Sequence, residues 1–130
     1  MSDKPFVSVV VPVYNGADIV EDLLQSLLAL DYPAESHEII VVDNGSTDHT
    51  RQIIGRYPVR LLEERETQGP AAARNKGVRH ARGDIIAFTD ADCVADPNWL
   101  KMLVVDHEDP SIGGFVGETR GHEPARTVIE

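Results

Sequence analysis

Short β-branched runs and amphipathic stretches alternate along this chain, and that alternation leaves few folds open. Val7-Ser8-Val9-Val10-Val11 reads as a strand, closed by the turn signal Asn15-Gly16. From Ala17 to Leu30, Val20, Leu23, Leu24, Leu27 and Leu28 recur at helical spacing, with Asp18, Glu21 and Asp22 where a helix N-terminus favours negative charge. Pro33 separates this helix from a second strand, Glu38 to Val42, whose Ile39-Ile40-Val41-Val42 core is apolar on both faces, as a buried parallel strand is. Ser46, Thr47 and Asp48 are N-cap candidates for a helix running to about Tyr57, and Val59 to Leu62 reads as a third strand. Pro70 suits the first turn of a helix ending near Ala81, with Gly83 placed where a left-handed cap needs glycine. Ile85-Ile86-Ala87-Phe88 forms the heart of a fourth strand, Asp84 to Thr89. Pro97 to His107 predicts another helix and Ile112 to Gly117 a further strand.

Alternation at this spacing predicts an α/β fold with right-handed crossovers onto a mostly parallel sheet covered on both faces. The 130 residues suffice for one such domain, which is expected to form a single unit up to about Gly121. In these sheets ligands bind beyond the carboxyl ends of the strands, near the point where strand order reverses. The segments to inspect are therefore Pro12 to Asn15, Asp43 to Asp48 and Asp90 to Asp92.

Charge narrows the ligands. Twelve Lys and Arg against 22 Asp and Glu leave a formal net charge of −10, which argues against a nucleic-acid partner and demands local compensation for any bound phosphate. Cys93 is the one cysteine, so no intramolecular disulfide can form and a reducing compartment follows. The run from Phe6 to Val13 is too short, and too interrupted by Pro12, for a secretory segment, and no stretch approaches the ~20 apolar residues of a membrane helix. The expectation is a soluble cytoplasmic protein, with peripheral contact at the cytoplasmic membrane face left open.

Three features at the strand ends carry chemistry. Asp90-Ala91-Asp92 leaves the fourth strand directly, and in extended backbone that spacing sets both carboxylates on one side. Such a pair repels itself unless a cation joins it, and Mg²⁺ or Mn²⁺ is a natural partner; the alternative is that Asp92 caps the helix at Pro97 or that both acids are solvated turn residues. Asp43 leaves a wholly apolar strand into Asn44-Gly45-Ser46, where its carboxylate either accepts from the ring N–H of uracil or guanine, or closes an Asx-turn and caps the next helix. Arg74 falls between Val78 and Ala81 on the apolar stripe of its helix, so its guanidinium needs an anion, either a phosphate or Asp90 or Asp92. The chain has no G-x-G-x-x-G, no Gly-Lys-Ser/Thr phosphate loop and no paired histidine spacing, and Cys93 reads as a small packing residue.

Taken in series, Val9-Val10-Val11-Pro12-Val13-Tyr14-Asn15, Val41-Val42-Asp43-Asn44-Gly45-Ser46-Thr47-Asp48, Gly69-Pro70-Ala71-Ala72-Ala73-Arg74-Asn75-Lys76-Gly77 and Phe88-Thr89-Asp90-Ala91-Asp92 resemble the inverting family-2 glycosyltransferases over about residues 6–118. The resemblance implies the Rossmann-like GT-A fold, a UDP- or GDP-linked sugar donor, a divalent cation (Mn²⁺ or Mg²⁺), and an acceptor sugar or lipid-linked glycan. Carried over, Pro12, Val13, Tyr14 and Asn15 line the nucleotide pocket and Asp43 reads the base. Asn44, Ser46 and Arg74 belong to the same nucleotide site, Asp90 lies near the ribose and the metal, and Asp92 ligates the metal directly.

The chain departs from the family pattern downstream. The family's catalytic base lies well beyond the Asp-x-Asp, in an acceptor-binding half about as long as this chain, whereas 38 residues follow Asp92 here. Glu118 and Glu123 are available, but neither matches the base motif. Residues 1–130 are thus expected to form a single nucleotide-sugar-binding domain, a truncated GT-A fold with the acceptor half absent and the catalytic residue unknown. Self-association of the truncated sheet into a homo-oligomer is a further expectation. The competing reading is a non-catalytic nucleotide-sugar-binding or interaction module. A sugar-phosphate nucleotidyltransferase is disfavoured, because Pro12-Val13-Tyr14-Asn15-Gly16 lacks the Gly-rich loop such enzymes carry after the first strand.

Overall fold

The computed structural model describes residues 5–108, 116–118 and 126–129. The elements run β1 (Val7–Val13), α1 (Val20–Leu28), a 3₁₀ turn (Ala34–Ser36), β2 (His37–Asp43), α2 (Thr50–Ile54), β3 (Arg60–Glu63), α3 (Pro70–His80), β4 (Ile85–Phe88), α4 (Trp99–Glu108), β5 (Val116–Glu118) and β6 (Arg126–Ile129). They build one six-stranded sheet in the order β3-β2-β1-β4-β6-β5. Every pairing is parallel except β5 with β6.

The two-faced apolar character of the central strands divides the core. Val7, Val9, Val11 and Val13 of β1 face Val20, Leu23, Leu24 and Leu27 of α1, joined by Ile54 of α2 and by Leu100 and Val104 of α4. Val10, with Ile40, Val42, Ile86 and Phe88, packs on the opposite side against Ala73 of α3. The alternation of side chains along a strand sorts odd from even residues onto these layers. The small buried residues of α3, Ala73 and Gly77, let that helix lie close on the sheet. Because α1 and α2 lie on one face and α3 on the other, right-handed crossovers carry β2 and β3 to one side of β1 and return β4 to the other side. Strand order therefore reverses between β1 and β4, and the loops leaving these two strands diverge to open a crevice.

Several local expectations shift. Helix α1 begins at Val20 rather than Ala17, because residues 15–17 are drawn into contacts described below, and Leu28 is 43% exposed instead of joining the core. Helix α2 ends at Ile54, short of Tyr57, and β3 sits one residue later than Val59 to Leu62. Strand β5 begins at Val116; residues 112–115 of its expected range lie outside the described residues. The unit also continues past Gly121, since β6 inserts between β4 and β5. Gly83 is no left-handed cap: the described glycines with positive φ are Gly45 and Gly69, and α3 ends at Ala81 in extended backbone. Glycine is required at 83 for another reason. A Cβ there would stand 2.7 Å from the Ser8 nitrogen and 2.8 Å from the Phe6 carbonyl oxygen, where the chain entering β4 crosses the start of β1.

That crossing carries a partly buried ionic network. The Ser8 hydroxyl donates to Glu38 (2.6 Å) and accepts from the Gly83 N–H (2.8 Å), while the Arg82 N–H donates to the same Glu38 oxygen (2.7 Å). Burial pushes the Glu38 carboxyl up, but the Ser8 hydroxyl, the Arg82 N–H and the Arg82 charge outweigh it and hold it below its ordinary 4.5. A depressed folded value means that Glu38 contributes its full stability above pH 4.5 and loses it as pH falls through the lower folded value. Glu38→Gln is expected to cost about 1–3 kcal/mol at neutral pH, the scale of hydrogen bonds to a charged group. Urea unfolding across the acid range checks this: the deficit should shrink as pH falls below 4.5.

Candidate functional site

The carboxyl ends of β1 and β2, the loop before α3 and the exit of β4 surround a cavity of about 270 Å³ lined by Pro12, Val13, Tyr14, Asn44, Gln68, Gly69, Pro70 and Asp90. It sits at the reversal of strand order between β1 and β4, where the topology directs a ligand. Its wall is mixed. Pro12 and Val13 are buried, Tyr14 stands 53% exposed, and Asp90 supplies a carboxylate from the opposite side.

Of the residues expected at a nucleotide site, Pro12, Val13, Tyr14, Asn44 and Asp90 line this cavity, whereas Asn15, Asp43, Ser46 and Arg74 act from outside its lining. Asn15 takes a left-handed conformation, φ 49°. Its N–H donates to Ser46 Oγ (2.8 Å), and its Oδ1 accepts from the Thr47 N–H (2.8 Å). The next two N–H groups are also taken: Gly16 donates to Thr50 Oγ1 (2.9 Å) and Ala17 to Asp48 Oδ2 (3.2 Å). Three consecutive amides that could have cradled a phosphate are thereby committed to side chains following β2. Asp48 also accepts from the Thr50 hydroxyl and the Thr50 N–H, and these bonds hold its carboxyl below the usual range.

Asp43 is fully buried at the end of β2. Its Oδ2 accepts from the Ser46 N–H (3.0 Å), the turn-closing role open to it in the sequence, but its Oδ1 is buried with no hydrogen-bond partner among the described residues. Asn44, next along, spends its amide on the loop that leads to α3. Its Oδ1 accepts from the Gly69 N–H (2.6 Å), and its Nδ2 donates to the carbonyls of Glu64 and Thr67 (3.0 Å each). Gly69, at φ 123° and ψ 152°, occupies a conformation that only glycine adopts freely, and it turns the chain into Pro70 at the head of α3.

The acids after β4 lie on a turn rather than in extended backbone: the Cys93 N–H closes onto the Asp90 carbonyl at 3.0 Å. The turn still gathers them, with one donor atom each of Asp90, Asp92 and Cys93 within 4.8 Å of one another. Asp92 does not cap the helix near Pro97; Asp96 does, through its Oδ1 to the Asn98 N–H and its carbonyl to the Trp99 N–H. Cys93 is exposed, so the packing role expected of it is not the one it has. Arg74 reaches Asp90 at 3.3 Å and lies over the Phe88 ring at 5.9 Å, so its anion in this structure is a strand-end carboxylate. Its Nε is buried and unpartnered among the described residues. Two carboxylates on one exposed turn match the donor set of a hard divalent cation, which takes one or two carboxylates and fills its shell with water and phosphate oxygens.

Gln68, Gly69 and Pro70 complete the cavity without having been singled out as site residues. A signal was available in Gly69-Pro70, a helix start placed one loop from the strand ends, but nothing local in Gln68 shows that its loop folds back over β2.

A doubly wound sheet with an α/β crevice at its strand-order reversal, and an acidic turn on that crevice, defines a fold of the GT-A type, as its structural neighbours show. The chain belongs to glycosyl transferase family 2, whose sequence model matches residues 8–130. It is 41% identical over 108 residues to glycosyltransferase AglE of Haloferax volcanii, covering 79% of this chain and 36% of that protein. The crystal structure of Staphylococcus aureus TarS 1–349 in complex with UDP-GlcNAc superposes with a TM-score of 0.71 at 35% identity, over 78% of this chain and 30% of that one. Mannosyltransferase PcManGT of Pyrobaculum calidifontis, in complex with GDP-Man and Mn²⁺, superposes at 0.74 and 35% identity, over 86% of this chain and 35% of that one. The chain thus spans about a third of the length of these relatives. Among the described residues no helix is long and apolar enough to cross a membrane.

Proposed function

We propose that residues 1–130 form the donor-binding unit of a glycosyltransferase that takes a UDP- or GDP-linked sugar, with a divalent cation, for transfer to a hydroxyl of an acceptor sugar or lipid-linked glycan. The observation that carries this reading is the cavity at the strand-order reversal, which has an apolar β1 wall, the head of α3 and the acidic turn after β4 around one space. Pro12, Val13 and Tyr14 are the surface on which a base and ribose rest. The orphaned Asp43 Oδ1 is the acceptor that a ring N–H of uracil or guanine would satisfy, and adenine has no such N–H to offer.

Asp92, with Asp90, would hold Mn²⁺ or Mg²⁺, and the bound cation would supply Lewis-acid stabilisation of the departing nucleoside diphosphate. The chain's own contribution is placement and charge. Arg74 orients Asp90 and brings a positive charge to a site in a protein of net charge −10. With the amides of residues 15–17 committed elsewhere, Arg74 and the α3 N-terminus are left to meet the diphosphate. We place this unit in the cytoplasm, where its exposed Cys93 stays reduced. Calorimetric titration of UDP, GDP and ADP with and without Mn²⁺ tests the reading. UDP or GDP is expected to bind in Mn²⁺ at least ~10-fold more tightly than ADP, a gap of 1.4 kcal/mol. Failure of both to bind in Mn²⁺ would sink it.

A further inference from the structure

We infer that Asn44 is a positioning residue of the donor site: it shapes the cavity by fixing the loop before α3 and does not itself read the ligand. The inference rests on the donor-binding reading for the identity of the ligand, but its structural half stands on the hydrogen bonds alone. Asn44 lines the cavity through its place at the end of β2, yet each polar atom of its side-chain amide already has a partner in the chain. Nδ2 donates both its hydrogens, to the Glu64 and Thr67 carbonyls, and Oδ1 accepts from the Gly69 N–H. Its backbone is committed as well, the N–H to the Val13 carbonyl (2.9 Å) and the carbonyl to Gln68 Nε2 (3.2 Å). A ligand acceptor could be recognised by this amide only by breaking one of the Nδ2 bonds, and a ligand donor only through the second lone pair of Oδ1, beside the Gly69 N–H, on a residue that is 3% exposed.

The amide holds a segment that carries three of the cavity's eight lining residues, Gln68, Gly69 and Pro70. Glu64 grips the same loop from within, its Oε2 accepting from the Glu66 and Thr67 N–H groups (3.1 and 3.2 Å). Without the Asn44 side chain the Glu64 turn would persist, still tied to β2 by the Glu64 N–H on the Asp43 carbonyl (2.8 Å) and by Gln68 on the Asn44 carbonyl, but the side-chain bonds that join Glu64 and Thr67 to the Gly69 N–H would be lost. Gly69 costs the most conformational entropy of any residue type to fix, so the loop depends on those bonds to hold one conformation. The α3 N-terminus and the Gln68 side chain would then spread over several positions, and a misplacement of about 1 Å can cost ~10²-fold in a positioned reaction.

The test measures amide hydrogen exchange and ligand affinity on Asn44→Ala and Asn44→Asp. Asn44→Asp keeps the side chain's size but sets a carboxylate oxygen against the Glu64 and Thr67 carbonyls, a repulsion that drives the side chain off the Gly69 N–H, and it serves in place of Asn44→Ala if that variant does not fold. In the ligand-free variants the Gly69 amide is expected to exchange at least ~10-fold faster, while the Asn15 amide, held by Ser46, keeps its protection. Affinity for UDP or GDP in Mn²⁺ is expected to fall at least ~10-fold, while Mn²⁺ alone binds unchanged. Lost affinity with Gly69 protection intact would mean that Asn44 touches the ligand directly and would overturn the inference. Lost protection with affinity intact would reduce Asn44 to a structural residue and overturn it equally. If the parent protein binds neither nucleotide, the donor reading fails, and the exchange data still decide whether Asn44 holds the loop.

Discussion

Asp92→Asn is expected to remove most of the cation-dependent binding of a nucleoside diphosphate. The substitution keeps the side chain's size and exposed position on the turn and deletes one of the two negative charges that make the turn a cation site. Asp90 alone is a poor replacement, because its carboxylate already faces the Arg74 guanidinium at 3.3 Å, and a divalent cation shared only with that pair would meet a neighbouring positive charge. In Mn²⁺, with ligand at ~100 times its dissociation constant, the parent should gain about 2.7 kcal/mol of stability by mass action. The variant should lose most of that gain while unfolding normally without ligand. Thermal unfolding at matched ligand and Mn²⁺ concentrations reads the difference directly. A variant stabilised as much as its parent would show that the acidic turn holds no cation.

Sugar transfer by these 130 residues is expected to fall far below the usual enzymatic range of ~1–10³ s⁻¹. An acceptor hydroxyl is a poor nucleophile at neutral pH, and a positioned base contributes ~10²–10⁴-fold, with acceptor orientation adding more. In the proposed reading Asp90 and Asp92 are engaged by the cation. Glu118 pairs in register with Arg126 at the amino end of β6, and β6 runs parallel to β4, so Glu118 lies at the sheet edge opposite the cavity. Glu123 lies outside the described residues. The expected behaviour is donor binding with slow hydrolysis to water and no sustained transfer. Release of nucleoside diphosphate, measured with and without a candidate acceptor, checks it. Transfer at an enzymatic rate would require a base among these residues, and Gln substitution of each remaining carboxylate would locate it.

The layered architecture was legible in the chain because it depends on local periodicity. Ile39-Ile40-Val41-Val42 and Ile85-Ile86-Ala87-Phe88 are apolar on both faces, and a strand of that kind is stable only inside a sheet covered on both sides. The strand ends followed from the same pattern, and with them Pro12 to Tyr14, Asp43 and the Asp90 turn. What the residues do at those ends was decided by partners distant in the chain. The family resemblance places Asn15 in the ligand pocket, yet Ser46 and Thr47 claim it from 31 and 32 residues away. Asn44 is claimed by a loop 20 to 25 residues on, and Gly83 is a glycine because β1, 75 residues earlier, passes against it. Arg74 has a phosphate, Asp90 and Asp92 as candidate anions in the sequence, and the return of β4 beside β1 supplies Asp90 as the one it meets in this structure. Strand β6, placed between β4 and β5 by pairing alone, had no local signal that set it there. Periodicity along a chain records which face of an element is buried, and that much this sequence determined by itself. Which donor meets which acceptor is a property of elements brought together, and only the tertiary structure decided it.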